Sequence, residues 1–522
     1  MTTTTAEQRL PRLERADAWA RLAEGGGPSL TVSSPWASGD DAVLGEVATT
    51  PAARIGAIVE SAREAQREWA EVPVRARAAI LRRVGALARE RREALMDVVQ
   101  LESGKNRLSA FEEVMDVALN AAYYARAGRA ALRPRRHSGA TPVLTSTVEH
   151  HRPKGVVGII TPWNYPLTLA VSDALPALMA GNAVVLKPDS RTPLTALAGL
   201  ELVRDAGLPA GLMRVVVGAG SEIGPPLVDA VDYLMFTGST ATGRVLAGAC
   251  GERLIGCSME LGGKNPMLVL ADADVERAAA GAVRACFSNS GQLCVSIERI
   301  YVADEVYDAF VAAFVRRVQA MSLGAGLDWD IDMGSLASRQ QLDAVGAHVT
   351  DAVAKGATVL VGGRARPDLG PCMYEPTVLA DVTEDMRLAR EETFGPVVSV
   401  YRVGSDEEAI ARANDSSYGL NASVWSARRG SEAAARVQAG TVNVNEGYAA
   451  AWGSTGAPMG GWRDSGLGRR HGVEGILKYT EAQTIAVQRG IGIAPVGSMT
   501  AARYAEVMNA AVGLVARMPR RR

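Results

Sequence analysis

Between residues 51 and 131, apolar positions recur every three to four residues among Ala, Arg, Glu and Leu, a spacing that predicts successive amphipathic helices. Residues 141–149 (T-P-V-L-T-S-T-V-E) then read as extended. From residue 156 the pattern changes to short β-branched runs at 156–160, 183–186, 214–217 and 233–236, with Ala/Leu-rich helical stretches such as 167–180 and 194–206 between them. Strands spaced by helices predict a parallel sheet in a doubly wound α/β domain. After Glu260 the pattern restarts, with a strand at 266–270, a helix over 275–287, a strand at 299–302 and further alternation to about residue 445, which predicts a second α/β domain. Residues 453–470 are Gly-rich and read as loop, and 479–488 read as a strand outside both domains. Near the end, Tyr504, Val507, Met508, Ala511, Val512 and Val515 fall on one helical face before R-M-P-R-R-R. A helix packed on the protein's own surface is expected there, with a membrane-surface helix as the alternative.

Composition narrows the function classes. A chain of 522 residues is long for a single core, and its 48% hydrophobic content excludes a disordered protein. With 56 basic against 57 acidic residues, nothing favours a nucleic acid or another polyanion as partner. Five cysteines without close pairing fit a reducing cytoplasm, and five histidines without ligand spacing predict no metal site. The N-terminus (M-T-T-T-T-A-E-Q-R-L) lacks the basic region and apolar run of a secretory signal. No charge-free apolar stretch reaches the roughly 20 residues that span a bilayer. A soluble cytoplasmic protein with no membrane partner is expected.

The candidate chemistry starts at F-S-N-S-G-Q-L-C, which ends in Cys294, and at Glu260, which opens E-L-G-G-K-N-P. A thiol nucleophile and a separate carboxylate are the parts needed to make and then hydrolyse a thioester. Gly218 to Gly224 spaces its last glycine one residue too far for G-x-G-x-x-G and reads as a plain turn. F-T-G-S-T-A-T-G is a better phosphate candidate, because Gly238 permits close backbone approach and Ser239 offers a hydroxyl before the next helix. Lys187 ends a strand in V-V-L-K-P-D-S, as either a solvated strand end or a cation placed for a cofactor. Asn164 follows Trp163 in T-P-W-N-Y-P, as either a core hydrogen bonder or an oxyanion donor.

Taken together, P-W-N-Y-P, L-K-P, F-T-G-S-T-x-x-G, E-L-G-G-K-N-P, G-Q-x-C and E-E-T-F-G-P resemble, in order and spacing, the aldehyde dehydrogenase superfamily over about residues 30–490. The resemblance implies two doubly wound parallel-sheet domains plus a small oligomerisation sheet. Residues 1–138 and 154–262 would form the Rossmann-like dinucleotide-binding domain, and 263–452 the catalytic domain. Residues 139–153 and 476–490 would supply oligomerisation strands, and 499–518 a C-terminal helix. A homodimer or homotetramer is implied. So are the roles: Cys294 attacks an aldehyde, Asn164 and the Cys294 N–H hold the oxyanion, and Glu260 activates water to hydrolyse the thioester. Glu392 would hold the nicotinamide ribose, with Phe394 beside the ring. Lys187 would meet the adenine ribose and Ser239 the pyrophosphate, and Trp163, Gly238 and Leu261 would add cofactor contacts. A coenzyme A-acylating relative is disfavoured because Glu260 would hydrolyse the acyl group, and a non-enzymatic relative because Cys294, Glu260 and Asn164 are all present.

Ser190 bears on the cofactor. Many NAD-preferring relatives carry Glu three residues after the lysine, where its charge repels a 2′-phosphate. Ser190 is neutral and Arg191 adds positive charge, so NADP is favoured, with NAD possible. Overall the chain is most similar to the NADP-type succinate-semialdehyde dehydrogenases. Better-known members place carboxylate-binding arginines where Ser172 and Ser288 stand here. Arg463 or another loop arginine could substitute. The alternative is an uncharged aliphatic or aromatic aldehyde, with Trp163, Tyr165 and Trp452 as pocket walls.

Overall fold

The computed structural model describes residues 11, 13–141, 144–490 and 492–516, without the side chains of residues 514 and 515. It divides into two units: residues up to 131 with 153–479, and 132–152 with those from 480 on. The first unit opens with a hairpin, Ser29–Ser33 with Val43–Ala48, that the hydrophobic pattern does not announce. The predicted helical stretch follows as Ile55–Glu71, Val74–Glu90, Arg92–Ser103 and Arg107–Ala131.

A six-stranded sheet comes next, in the order Gly466–Leu467, Gly256–Glu260, Tyr233–Thr237, Val156–Ile160, Ala183–Lys187, Met213–Val215. All neighbours run parallel except the first pair. Three of the four inner strands, Tyr233–Thr237, Val156–Ile160 and Ala183–Lys187, are buried at every position, which is why they read as continuous apolar runs rather than alternating ones. Register pairs Ile160 with both Lys187 and Phe236, and Thr237 with Glu260. The carboxyl ends of four strands therefore stand side by side, where open α/β sheets bind ligands. A second, seven-stranded sheet runs Thr358–Val361, Thr377–Ala380, Val397–Val403, Ile297–Ala303, Asn265–Val269, Asn421–Trp425, Thr441–Val444, parallel except for its first pair.

Buried carboxylates fix the helices that follow the inner strands. Glu113 accepts from the backbone N–H groups of Leu167 and Thr168, and Glu102 from those of Leu194 and Thr195. Both helices, Pro166–Val171 and Pro193–Asp205, start with proline, whose fixed φ suits the first helical position. A carboxylate there satisfies N–H groups that the helix leaves open and complements its dipole.

The structure corrects several expectations. The single helix expected over 167–180 is two, Pro166–Val171 and Ala174–Ala180. At the break, Pro176 has no N–H for the Ser172 carbonyl, while Ser172 donates to the buried Asp116 (2.7 Å) and Asp173 pairs with Arg470 (3.0 Å). The stretch 453–470 is not all loop, since Trp462–Arg463 pairs with Tyr418–Gly419 and Gly466–Leu467 joins the six-stranded sheet. Gly466 has φ +129°, and a Cβ there would lie 1.8 Å from the Met259 carbonyl oxygen. Its glycine serves close backbone approach rather than a loop. Residues 218–224 are more than a turn, because the helix Gly220–Ala230 begins inside them.

In the second unit, Thr480–Gln488, Thr145–Pro153 and Arg135–His137 form a three-stranded sheet in that order. The strand expected over 141–149 thus begins later, and residues 142–143 lie outside the described residues. The helix Ala501–Ala516 forms, with Tyr504 and Met508 half-buried but Val507 46% and Val512 62% exposed, so the expected packing covers only part of its apolar face. Periodicity reports a face and not what covers it. The side chain of residue 515 and the basic end, 517–522, lie outside the described residues. Among the described residues, no helix is long and apolar enough to cross a membrane.

Candidate active site

Cys294 lies just beyond the end of the helix Val275–Phe287. Between them Asn289 and Ser290 take left-handed conformations (φ 50° and 57°), followed by Gly291 at φ 70°. Such a run is strained for side-chain-bearing residues and persists only when its surroundings hold it. Here they do: Asn289 Nδ2 donates to the carbonyls of Asn164 and Gln292, Ser290 Oγ to Gly334, and the Gln292 side chain bonds Asn289 and Ala337. A Cβ at Gly291 would meet the Gly395 carbonyl oxygen at 2.1 Å, so the loop packs directly on the E-E-T-F-G-P segment.

Asn164 is buried, with Nδ2 donating to the Gln292 carbonyl (3.0 Å) and Oδ1 left without a partner. One amide hydrogen is thus spent on the cysteine loop and the second is available to a ligand. Its backbone carbonyl accepts from Lys105 Nζ at 2.6 Å. Lys105 is fully buried, also bonds Glu113 (2.6 Å), and lies 4.0 Å over the Tyr165 ring. Through Glu113, one buried ion pair ties the Asn164 turn to the helix that follows it. Breaking a buried pair leaves an uncompensated charge, which costs about 3–5 kcal/mol. Lys105→Met should therefore lower the urea-unfolding free energy by about that amount. An unchanged midpoint would show that the pair contributes nothing.

Glu260 ends its strand 5% exposed, with Oε1 unpartnered. Burial pushes its carboxyl up to about 7, against the pull of Arg470 and Lys478. Burial likewise pushes the Cys294 thiol up to about 12, with Arg470 opposing and Glu260 and Glu392 adding to the rise. Both sit on one cavity of about 260 Å³ together with Asn164, Trp163, Gly238 and Ser239. Its remaining wall includes Leu261, Glu392, Phe394, Trp452 and Arg470. Of the residues singled out from sequence, Lys187 and Ser190 are not on it. Lys187 instead faces the start of the helix Gly220–Ala230, where a Cβ on Gly220 would lie 3.7 Å from Nζ. Ser190 donates to the Gly218 carbonyl (2.9 Å).

These features suit a dinucleotide. Gly238 has no Cβ, and its backbone opens into the helix Thr240–Glu252, capped by Ser239. A helix N-terminus there can take phosphate. Glu392 Oε1 accepts from Gly263 N–H (2.8 Å) and approaches Gly262 so closely that a Cβ would lie 2.4 Å from Oε2. Burial, then the neighbouring Glu298, raises Glu392 to about 8. Glu298 accepts from Thr393 and Phe394 N–H and from Lys264 Nζ (2.5 Å), which holds Phe394 at φ +51° edge-on to Trp163.

A second cavity, about 150 Å³, shares Tyr165, Leu293 and Trp452 with the first and adds Tyr448, Met115 and Leu119. Ser288 bonds Tyr448 OH (2.9 Å), which also donates to Glu112. Arg284 lines this cavity, paired to Glu112 at 2.8 Å. Arg463 does not reach either cavity, since its guanidinium bonds the carbonyls of Asn414 and Ser416 and the Gln438 side chain. Sequence reading missed Arg470 and the Lys105–Glu113 and Lys264–Glu298 pairs. Only Lys264 carried a signal, inside E-L-G-G-K-N-P.

Residues 23–485 match the aldehyde dehydrogenase family. The chain is 55% identical over 481 residues, 91% of its length and 93% of the relative's, to a protein of Mycolicibacterium smegmatis provisionally named an NADP(+) succinate-semialdehyde dehydrogenase. A crystal structure of an Escherichia coli NADP-dependent enzyme superposes with a TM-score of 0.85 at 34% identity, covering 90% of this chain and 97% of that one. Betaine aldehyde dehydrogenase from Staphylococcus aureus, solved with NAD+, gives a TM-score of 0.85 at 31% identity, covering 92% and 98%. The match over nearly the whole chain, with the thiol, the carboxylate and the amide on one cavity, makes this chain a member of the aldehyde dehydrogenase family.

Proposed function

We propose that this protein oxidises succinate semialdehyde to succinate with NADP, through a thioester on Cys294. The observation that carries the chemistry is the convergence of Cys294, Glu260 and Asn164 on one cavity. Cys294 Sγ adds to the aldehyde carbon, and the developing oxyanion is met by the free amide hydrogen of Asn164 and the Cys294 N–H. A bound nicotinamide cofactor would supply the hydride acceptor, and loss of hydride from the substrate carbon would leave a thioester on Cys294. Glu260 then takes a proton from water, and the hydroxide so formed adds to the thioester carbonyl and expels the Cys294 thiolate, which releases succinate. A carboxyl at about 7 is well matched to that role, being ionised near neutral pH yet basic enough to deprotonate water in the transition state.

Glu392, Phe394 and Trp163 would hold the nicotinamide end, Gly238 and Ser239 the pyrophosphate, with Leu261 beside them. Lys187 and Ser190 would take the adenosine ribose. NADP fits because no carboxylate occupies position 190 and Lys187 faces a helix N-terminus. Arg191 contributes less than its charge implies, since it bonds Asp189 and lies 4.8 Å over the Trp163 ring. The substrate assignment is supported by the naming of the relatives at 53–55% identity.

A second reading, an uncharged aliphatic or aromatic aldehyde, is favoured by one observation. Ser172 and Ser288 stand against the carboxylates Asp116 and Glu112, the latter through Tyr448, so neither position offers a cation to a substrate carboxylate. Arg284 is the arginine on the second cavity that could serve instead. Initial rates with NADP and NAD across succinate semialdehyde, a plain aliphatic aldehyde and benzaldehyde decide between the readings. The expected result is a kcat/KM at least about tenfold higher with NADP, and highest for succinate semialdehyde, one charge contact being worth about 1.4 kcal/mol or more. Preference for the uncharged aldehydes would select the second reading, and parity between cofactors would refute the reading of Ser190.

The exposed strand Thr480–Gln488, at the edge of its three-stranded sheet, supports pairing with a second copy into a dimer or a dimer of dimers. Five free cysteines support a cytoplasmic setting.

A further inference from the structure

The proposed reaction needs two acids in one cavity, the Cys294 thiol and the Glu260 carboxyl, to lose their protons. Two such anions repel each other in a dry site and need a counter-charge. Among the described residues, Arg470 is the cation that lines this cavity. It is buried at 6% exposure, with Nη2 held by Asp173 (3.0 Å) and by Thr237 Oγ1 (3.1 Å). Its backbone is pinned on both sides, since its N–H donates to the Met459 carbonyl (2.7 Å) and its own carbonyl accepts from Met459 N–H (2.9 Å). Its Nε has no partner, and neither has Glu260 Oε1. We propose, resting on the thioester reading, that Arg470 is the positioning residue of this site: a fixed cation, aimed by Asp173 and Thr237, that stabilises the Cys294 thiolate and the Glu260 carboxylate and so sets the pH window of the reaction.

The other charges nearby do not replace it. Cys294 otherwise faces Glu260 and Glu392, both acidic, and the buried phenol of Tyr165, which burial keeps protonated. Glu260 also faces Lys478, Arg469 and Asp173. Lys478 is brought down to about 8 by burial, so it loses its proton within the working range, and its Nζ is turned to Met235 Sδ (3.3 Å). Arg469 spends its guanidinium on the carbonyls of Gly461 and Gly468. Asp116 and Asp173 face Arg470. His471 is kept neutral by burial, at about 3. Burial works against the charge on Arg470, but the acids around it outweigh that and raise it above an arginine's ordinary value, so the cation persists at every working pH.

The test alkylates the apoenzyme with iodoacetamide between about pH 7 and 9 and follows the Cys294 peptide by mass spectrometry, since the rate reports the thiolate fraction. Arg470→Met should slow alkylation of Cys294 about tenfold at a given pH, the equivalent of about one pH unit, and move the rising limb of the kcat profile to higher pH. Arg470→Lys, which keeps the charge, should restore most of the rate. The double variant Asp173→Asn with Arg470→Met also removes the carboxylate that pairs directly with Arg470, so it guards against misfolding and should show the same slowing. Unchanged alkylation in the folded single or double variant would overturn the proposal. So would a variant whose sole defect is a higher KM for the carboxylate-bearing aldehyde, which would make Arg470 a substrate contact. Wild-type enzyme that oxidises no aldehyde would refute the thioester reading while leaving the alkylation comparison intact.

Discussion

Cys294→Ser should lower kcat/KM for aldehyde oxidation by about 10⁴-fold or more, with NADP binding retained. The loss is large because the thiol would both form the bond that activates the aldehyde and carry the resulting acyl group as the thioester that Glu260-activated water hydrolyses. A serine hydroxyl at the same place ionises far less readily and has no adjacent base built to activate it. The other cysteines cannot take over. Cys250, Cys286 and Cys372 are buried, and none of the four others lines the cavity that Glu260 and Asn164 share. Stopped-flow absorbance of reduced cofactor, with NADP affinity measured separately by fluorescence, separates lost chemistry from lost binding. A variant within tenfold of wild type would remove Cys294 from the mechanism.

Glu260→Gln should let the first turnover proceed and stall the second. A burst of reduced cofactor near one equivalent per site should appear, followed by a steady state slower by about 10²–10⁴-fold, the range for loss of a positioned base. The amide keeps the side chain's shape in its strand, so little of the effect should come from folding. The wild-type pH profile carries the same signature. Burial raises the folded-state carboxyl from its ordinary range to about 7, so Glu260 is protonated and idle below that pH. Deacylation should therefore rise with pH through about 7 and level off above it, and the glutamine variant should lose that limb. A variant with no burst would place Glu260 in the acylation step instead.

The buried strands were the most legible part of the fold. The strands ending at Ile160, Lys187 and Thr237 are apolar up to their last residue and flanked by Pro or Gly, so composition and length alone marked them. The break at Ser172–Asp173 had one local mark, Pro176, which has no N–H for the Ser172 carbonyl four residues back. The bonds that fix it, to Asp116 and Arg470, are distant in sequence and could not be read. Gly466 read as loop for a related reason, since its conformation serves a strand pairing with Met259 and Glu260 that no local pattern encodes.

The site divides in the same way. Cys294, Glu260, Asn164, Glu392 and Phe394 each sit in a short motif whose glycines and prolines fix the backbone, so position and chemistry could be read together. Arg470, Lys105 and Glu113 sit in no such motif. Their importance comes from burial beside the motif residues, and a charged residue in an Arg-rich chain carries no local mark of burial. The same limit applies to Arg463, whose sequence position near the Gly-rich segment offered it as a carboxylate partner until its bonds to Asn414, Ser416 and Gln438 were seen.

The proposed reaction turns on an acyl-thioester on Cys294 that is hydrolysed with Glu260 as base. The most direct measurement mixes Glu260→Gln enzyme with succinate semialdehyde and NADP, quenches it in acid, and maps adducts by peptide mass spectrometry. A succinyl group should be found on the Cys294 peptide, at close to one per site, that wild-type enzyme does not retain. Reduced cofactor formed without any adduct, or an adduct on another cysteine, would contradict it.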